Sequence, residues 1–181
     1  MRREGAPLLK ISRGFSLLEL VIVVIIVAFL AAIVMARLLA LQVHAERVAM
    51  ETTAGTVRSA LGMTVAEAIV RHDLQRLEAL DGANPMERLA ETPINYLGAL
   101  DDPDPGSLPD GHWYFDNQAG ELVYLVRNKE HFSGGVSNPP RARFAVRLVY
   151  ADRNGNGRFD RGTDAVEGVR LAPLEPYKWL R

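Results

Sequence analysis

The chain has 181 residues, a formal net charge of −1 and no cysteine. This length accommodates one ordinary globular domain together with an anchor segment. A general nucleic-acid binder needs a basic surface, and the near-neutral charge argues against that class, so we expect no nucleic-acid partner. The lack of cysteine excludes a disulfide as the means of stabilising an exported domain.

A basic N-terminus precedes one long apolar segment. Residues 1–14 contain four basic residues and one acid, so their removal would change the net charge from −1 to −4. Residues 15–36 are apolar apart from Ser16 and Glu19. About 20 apolar residues suffice to cross a bilayer as a helix, and flanking basic residues keep their end in the cytoplasm. We therefore expect a single-pass membrane protein whose N-terminus is cytoplasmic and whose C-terminal part lies on the other side of the membrane.

Glu19 is a lone carboxylate near the start of this apolar segment. An acid within a membrane-spanning helix is costly and normally marks a functional site with a specific partner. Cleavage after Gly14 would create an α-amine at Phe15, one helical turn before Glu19. The amine of one copy would then bind Glu19 of a neighbour, so that side-by-side packing of the helices neutralises both charges. The alternative is a simple signal anchor in which Glu19 stays at the membrane edge.

Residues 14–20, Gly-Phe-Ser-Leu-Leu-Glu-Leu, follow the short basic leader and open the apolar segment. This N-terminal pattern, which extends over about the first 40 residues of the chain, resembles the type IV pilin-like proteins: the pilins of type IV pili and the pseudopilins of type II secretion. The resemblance implies that a prepilin peptidase cuts between Gly14 and Phe15 and methylates the new Phe15 amine. It also implies polymerisation with copies or related subunits on an inner-membrane assembly platform, with Glu19 as the assembly residue.

The resemblance divides the chain into three expected segments. Residues 1–14 are the cleaved leader, residues 15–43 the transmembrane and assembly half of a long helix, and residues 44–181 a periplasmic pilin-like domain. Many pilus subunits carry a disulfide near the C-terminus, whereas type II major pseudopilins typically lack it and use calcium there. We therefore expect a structural subunit of a type II secretion pseudopilus. A type IV pilin, major or minor, is the alternative, followed by an uncleaved signal-anchored periplasmic binding protein or enzyme.

After the span, apolar residues recur at intervals of three or four: Met50, Ala54, Val57, Leu61, Val65 and Ala68. This is the period of one helix face, so we expect a continuous helix over residues 15–70 whose second half packs on the globular domain. The helical pattern resumes over residues 72–80. Asn84 is a good helix cap before Pro85, so a further short helix is expected over residues 85–90.

Alternating apolar residues predict the β part of the domain. Residues 113–115 and 121–126 flank a turn ending in Gly120 and predict a hairpin. Residues 143–150 predict a third strand, and residues 169–171 a short fourth one. A long helix packed on a small antiparallel sheet is an α+β fold, and the pilin-like fold has this arrangement.

Residues 152–160, Asp-Arg-Asn-Gly-Asn-Gly-Arg-Phe-Asp, place oxygen-bearing side chains at alternate positions. This is the first part of a calcium loop, in which a hard cation takes carboxylate, amide and backbone oxygens. The expected ligand positions are Asp152, Asn154, Asn156, Arg158, Asp160 and Asp164. The twelfth position is Thr163 instead of a bidentate glutamate, so Asp164 or Glu167 must supply the last carboxylate. A plain turn with solvated charges is the alternative interpretation.

The sequence predicts no catalytic site. The four histidines, His44, His72, His112 and His131, show neither metal-ligand spacing nor a nearby nucleophile motif. No glycine-rich phosphate loop joins a strand to a helix. We therefore expect a non-enzymatic protein.

Overall fold

The computed structural model describes residues 15–136 and 138–180. The leader, including Gly14 and the predicted cleavage point, lies outside the described residues. The chain divides into two compact units, with the boundary between Gln42 and Val43.

The long helix α1 spans Leu17–Val70, which confirms the predicted helix. In the first unit, every large apolar side chain of residues 15–41 is exposed. In the second unit, the predicted apolar face is buried at Met50, Ala54, Val57, Leu61 and Ala68. The period of three and four residues therefore identified the face of α1 that packs on the globular domain.

The helix ends in a tight turn. Asp73 N donates to Ala68 O at 2.9 Å, and His72 has a φ of 53°, a left-handed conformation that stops the α-helix. A 3-10 helix, Leu74–Leu80, follows and buries Leu77 and Leu80. The predicted helix over residues 72–80 is thus present as a 3-10 helix, which begins after the turn.

A second 3-10 helix spans Pro85–Arg88, and its predicted cap is confirmed: Asn84 Oδ1 accepts a hydrogen bond from Met86 N at 3.1 Å. The third, Lys129–His131, leads into a short strand. These short helices place Leu77, Leu80 and Met86 in the core.

In residues 15–136 and 138–180, seven strands form two sheets. They are β1 (Tyr96–Leu100), β2 (Trp113–Asp116), β3 (Glu121–Leu125), β4 (Phe132–Gly134), β5 (Arg141–Ala151), β6 (Ala165–Pro173) and β7 (Tyr177–Trp179). The larger sheet has the order β1-β2-β3-β5-β6, and β4 pairs with β7. All neighbours are antiparallel except β1 and β2, which run parallel.

The α+β, pilin-like fold is confirmed, and the sheet is larger than the sequence pattern predicts. The β2–β3 hairpin has the expected register, with Trp113 opposite Tyr124. The predicted fourth strand, residues 169–171, is part of β6, which has nine residues. Strands β1, β4 and β7 were not predicted, because they have three to five residues and pair with partners distant in sequence.

Both faces of the β2–β3 hairpin are buried. Trp113 is fully buried on the face that packs with α1, and its ring centroid lies 5.0 Å from that of Tyr124 and 5.8 Å from that of Phe144. On the other face, Tyr114 packs with Val123 and with residues of β1 and the loop that follows it. Trp113 and Tyr114 are therefore core residues.

Candidate assembly site

The start of α1 is fixed by Ser16. Its Oγ accepts a hydrogen bond from Glu19 N at 3.2 Å, and its carbonyl accepts one from Leu20 N at 3.1 Å. A serine cap with a glutamate three positions later has the spacing of a capping box. Ser16 was missed as a site residue, although the Ser-x-x-Glu spacing is visible in the sequence. The cap places Glu19 in the first turn, where the partial positive charge of the helix end favours a carboxylate.

Phe15 and Glu19 are both exposed, one helical turn apart, and Phe15 is 71% exposed. The large apolar side chains that follow them, up to Leu41, are exposed as well. Among the described residues, α1 is the one helix long and apolar enough to cross a membrane. An uninterrupted apolar surface of this size needs lipid or other protein chains to cover it.

A second carboxylate on α1, Glu46, lies in the globular unit and was also missed. It is half-buried and accepts hydrogen bonds from Tyr124 Oη at 3.0 Å, Arg127 N at 2.6 Å and Asn128 N at 2.9 Å. The side-chain amide of Asn128 is a fourth donor. The signal in the sequence was an acid four positions before the buried Met50, and thus on the apolar face of α1.

This cluster, Glu46 with Tyr124, Arg127 and Asn128, joins the helix to the end of β3. Burial raises the pKa of Tyr124, and the negative charge of Glu46 raises it further. The tyrosine therefore stays protonated and donates to the carboxylate. The cluster holds the part of α1 that enters the globular unit in one register against the sheet.

The predicted calcium loop joins β5 to β6 and is closed by two aspartates. Asp152 accepts hydrogen bonds from Gly155 N at 2.7 Å and Gly157 N at 2.8 Å. These backbone N–H groups, Gly157 first, lower the pKa of Asp152. Asp164 accepts from Arg153 N at 2.9 Å and Asp160 N at 2.8 Å.

The amide side chains of the loop converge on Asp160. Asn154 and Asn156 both donate from Nδ2 to Asp160 Oδ2, the first at 2.7 Å. Asn156 Oδ1 in turn accepts from Arg158 N at 2.7 Å. Among the described residues, no group of three histidine, aspartate or glutamate side chains is close enough to hold a metal. The donor chemistry nevertheless suits a hard cation, since a rotation of each amide would turn its oxygen toward the site.

A family model, the prokaryotic N-terminal methylation motif, matches residues 9–35. No curated protein and no solved structure matches the chain. The motif is the signature of type IV pilins and pseudopilins, and the chain has the long N-terminal helix that accompanies it. Over this N-terminal segment the chain is thus similar to the type IV pilin-like proteins. The match ends within α1 and does not extend to the globular unit.

Proposed function

We propose that this chain is a non-enzymatic structural subunit of a type II secretion pseudopilus, assembled into a helical filament through α1. One observation supports the proposal above all. The methylation motif at residues 9–35 covers the capped start of a helix whose large apolar side chains up to Leu41 are exposed. Such a surface suits a helix that lies in lipid before assembly and among neighbouring helices afterwards.

Glu19 supplies a driving force for that transfer. An acid at the centre of a membrane-spanning helix costs about 2.5–3.5 kcal/mol, and the cost declines toward the interface. Cleavage between Gly14 and Phe15 leaves an α-amine that a neighbouring Glu19 neutralises, so assembly removes the charge penalty from both groups. In this proposal, the N-terminus faces the cytoplasm, and the inner-membrane assembly platform draws the processed subunit into the filament.

The first test of the proposal is the mass of the membrane-extracted protein. We expect the loss of residues 1–14 and the gain of one methyl group. A full-length, unmethylated chain would instead identify a signal-anchored protein and refute the filament role.

The second test is Glu19→Leu. This substitution removes the charge but keeps the span, and we expect it to abolish filaments while the protein still accumulates in the membrane. Glu91→Leu, which removes an exposed acid of the globular unit, is the matched control and should leave filaments intact. Normal filament yield from Glu19→Leu would contradict the electrostatic argument.

The choice of a secretion pseudopilus over a type IV pilus rests on two features. The chain has no cysteine, and its last hairpin carries an aspartate- and asparagine-rich loop. Cells that lack the protein distinguish the two functions. Retention of exported proteins in the periplasm would support the pseudopilus subunit, whereas loss of surface pili with normal export would support the pilin.

We also propose that the loop between β5 and β6 binds calcium. The loop would have to close around the cation, because its three aspartates are not grouped closely enough in this structure to share a metal. Asp152, Asp160 and Asp164 would then supply carboxylates, Asn154 and Asn156 amide oxygens, and Arg158 its backbone carbonyl. The cation would neutralise three acids and hold the hairpin end rigid. We expect calcium to raise the melting temperature of the full chain in detergent, and Asp152→Ala to remove that shift while Asp101→Ala keeps it. An unshifted melting temperature in calcium would refute the site.

A further inference from the structure

A groove of about 640 Å³ lies where the first 3-10 helix meets β5 and the β5–β6 loop. Three arginines line it: Arg147 on β5, and Arg158 and Arg161 on the loop. The rings of Tyr150 and Phe159 form part of its wall and meet edge to face, with centroids 5.4 Å apart. We call this site the arginine groove.

The two carboxylates in the arginine groove are already engaged. Glu78 Oε2 accepts from Arg161 Nε at 2.6 Å, and Asp81 Oδ1 accepts from Leu148 N at 2.9 Å. In the part of the chain that the structure describes, Arg147 and Arg158 have no carboxylate within 4.0 Å. With three arginines and two carboxylates, the groove carries a net charge of +1, and neither Arg147 nor Arg158 is paired with a carboxylate of the described residues.

Arg170 adds a further exposed positive charge next to Arg147. Arg147 stands directly opposite Arg170 in the β5–β6 pairing, and both residues are exposed. Like charges at directly opposed positions of two antiparallel strands destabilise the sheet. An acidic group from outside the chain would relieve this repulsion.

The complementary charge lies on the loop that follows β1. Asp101, Asp102 and Asp104 are exposed, and no basic side chain among the described residues lies within 4.0 Å of them. Asp101 Oδ1 accepts from Asn117 Nδ2 at 2.7 Å, and Asp104 Oδ1 accepts from Gly106 N at 2.9 Å. These bonds hold the segment, which we call the acidic loop (residues 101–104), in one conformation.

We propose that the acidic loop of one copy of this chain docks in the arginine groove of the next copy, an inference that rests on the filament role proposed above. The loop follows β1, the first strand in the sheet order, whereas the groove lies beside β5 and β6, the last two. The contact thus joins two different surfaces. A contact of this kind between identical subunits generates a ring if its rotation closes and a helical assembly if it does not, and the proposed filament role requires the second case.

Charge balance favours a second copy over another acidic partner. Each subunit carries both surfaces, so every copy inside the filament would have its acids and its arginines compensated at once. Exposed ion pairs contribute only about 0–1 kcal/mol each, which is too little to hold free domains together. They act when α1 has already brought the copies side by side, because this proximity raises the effective concentration of each surface for the other.

The first test is a disulfide between copies. The chain has no cysteine, so any disulfide must come from introduced residues. In cells with the assembly machinery, we expect mild oxidation of filaments of the processed Asp102→Cys/Arg158→Cys chain to give a ladder of multimers. Each single variant should give at most dimers, and so should the pair Asp102→Cys/Arg88→Cys. Monomers only, or a disulfide to a different protein, would overturn the proposed contact.

The second test is charge reversal. We expect Arg147→Glu/Arg158→Glu to lower filament yield about tenfold, corresponding to a modest loss of contact free energy. Asp101→Arg/Asp102→Arg should do the same, and the four changes combined should restore the yield, which also shows that the variants fold. Arg88→Glu/Lys178→Glu changes the net charge equally at other exposed sites and is the control.

The outcomes separate this contact from the filament role itself. If the unsubstituted chain polymerises but the reversed variants match the control, or the combined variant is not restored, the contact is refuted and the filament role stands. If the unsubstituted chain forms no polymer, both proposals fail together.

Discussion

Replacing Glu46 with alanine should destabilise the globular unit far more than its position near the surface suggests. The substitution removes the acceptor of four hydrogen bonds, from Tyr124 Oη, Arg127 N, Asn128 N and the Asn128 amide. A hydrogen bond to a charged group contributes about 1.5–3 kcal/mol net. Glu46 is half-buried, so water would partly replace it at the backbone N–H groups. We therefore expect a total loss of about 2–4 kcal/mol.

At the size of this domain, that loss corresponds to a fall in melting temperature of about 5–15 °C. Near-ultraviolet circular dichroism of the full chain in detergent is a suitable assay, since both tryptophans, Trp113 and Trp179, are buried in the globular unit. Glu46→Gln should cost less than Glu46→Ala, because the amide oxygen keeps part of the acceptor capacity.

The matched control is Glu51→Ala, one turn further along the same helix. Glu51 is exposed and pairs with Arg47 at 2.9 Å, so its loss should cost only about 0.5 kcal/mol. If Glu46→Ala and Glu51→Ala lower the melting temperature equally, the four hydrogen bonds do not fix α1 to the sheet and the reasoning is wrong.

Two further predictions concern the same unit. Because burial raises the pKa of Tyr124 above its ordinary value of 10, the unfolded chain releases this proton first, so the contribution of Tyr124 to stability should be constant below about pH 10 and fall as the pH rises further. Urea unfolding between pH 8 and pH 11 should show this fall in the free energy of unfolding, and the fall should be smaller for Tyr124→Phe. If the free energy of unfolding depends on pH equally in both proteins, the prediction is wrong. Arg143 bonds Glu121 at 3.1 Å and also Glu175, and all three side chains are at most 27% exposed. Arg143→Ala should therefore cost about 1–3 kcal/mol in chemical denaturation, more than Arg88→Ala.

Local patterns predicted the parts of this protein that depend on neighbours in sequence. The period of apolar residues after the span indicated the helix and its buried face, and the alternation around Gly120 indicated the β2–β3 hairpin. The cap at Asn84 is likewise a contact between residues two positions apart. In each case the stabilising partner lies within a few residues, so the sequence contains the whole interaction.

Strand β1 could not be predicted from local sequence patterns. It has five residues, contains Gly98 with a φ of 101°, and pairs in parallel with β2. Its composition is not typical of a strand, and its stability depends on β2 and on packing over Tyr114. The 3-10 helix Leu74–Leu80 was predicted as an extension of the helical pattern, and only the turn at His72 separates it from α1.

The sequence by itself indicated the class of this protein, because the methylation motif and the apolar segment lie together in one short linear stretch. Only the tertiary structure decided how Glu46 is bound, where the arginines gather and which loop carries the opposing acids. Those groups are far apart in the chain, as Glu46 and Asn128 are, and charges act through space. The interactions of these groups can therefore be identified only in the folded structure, where the residues lie close together.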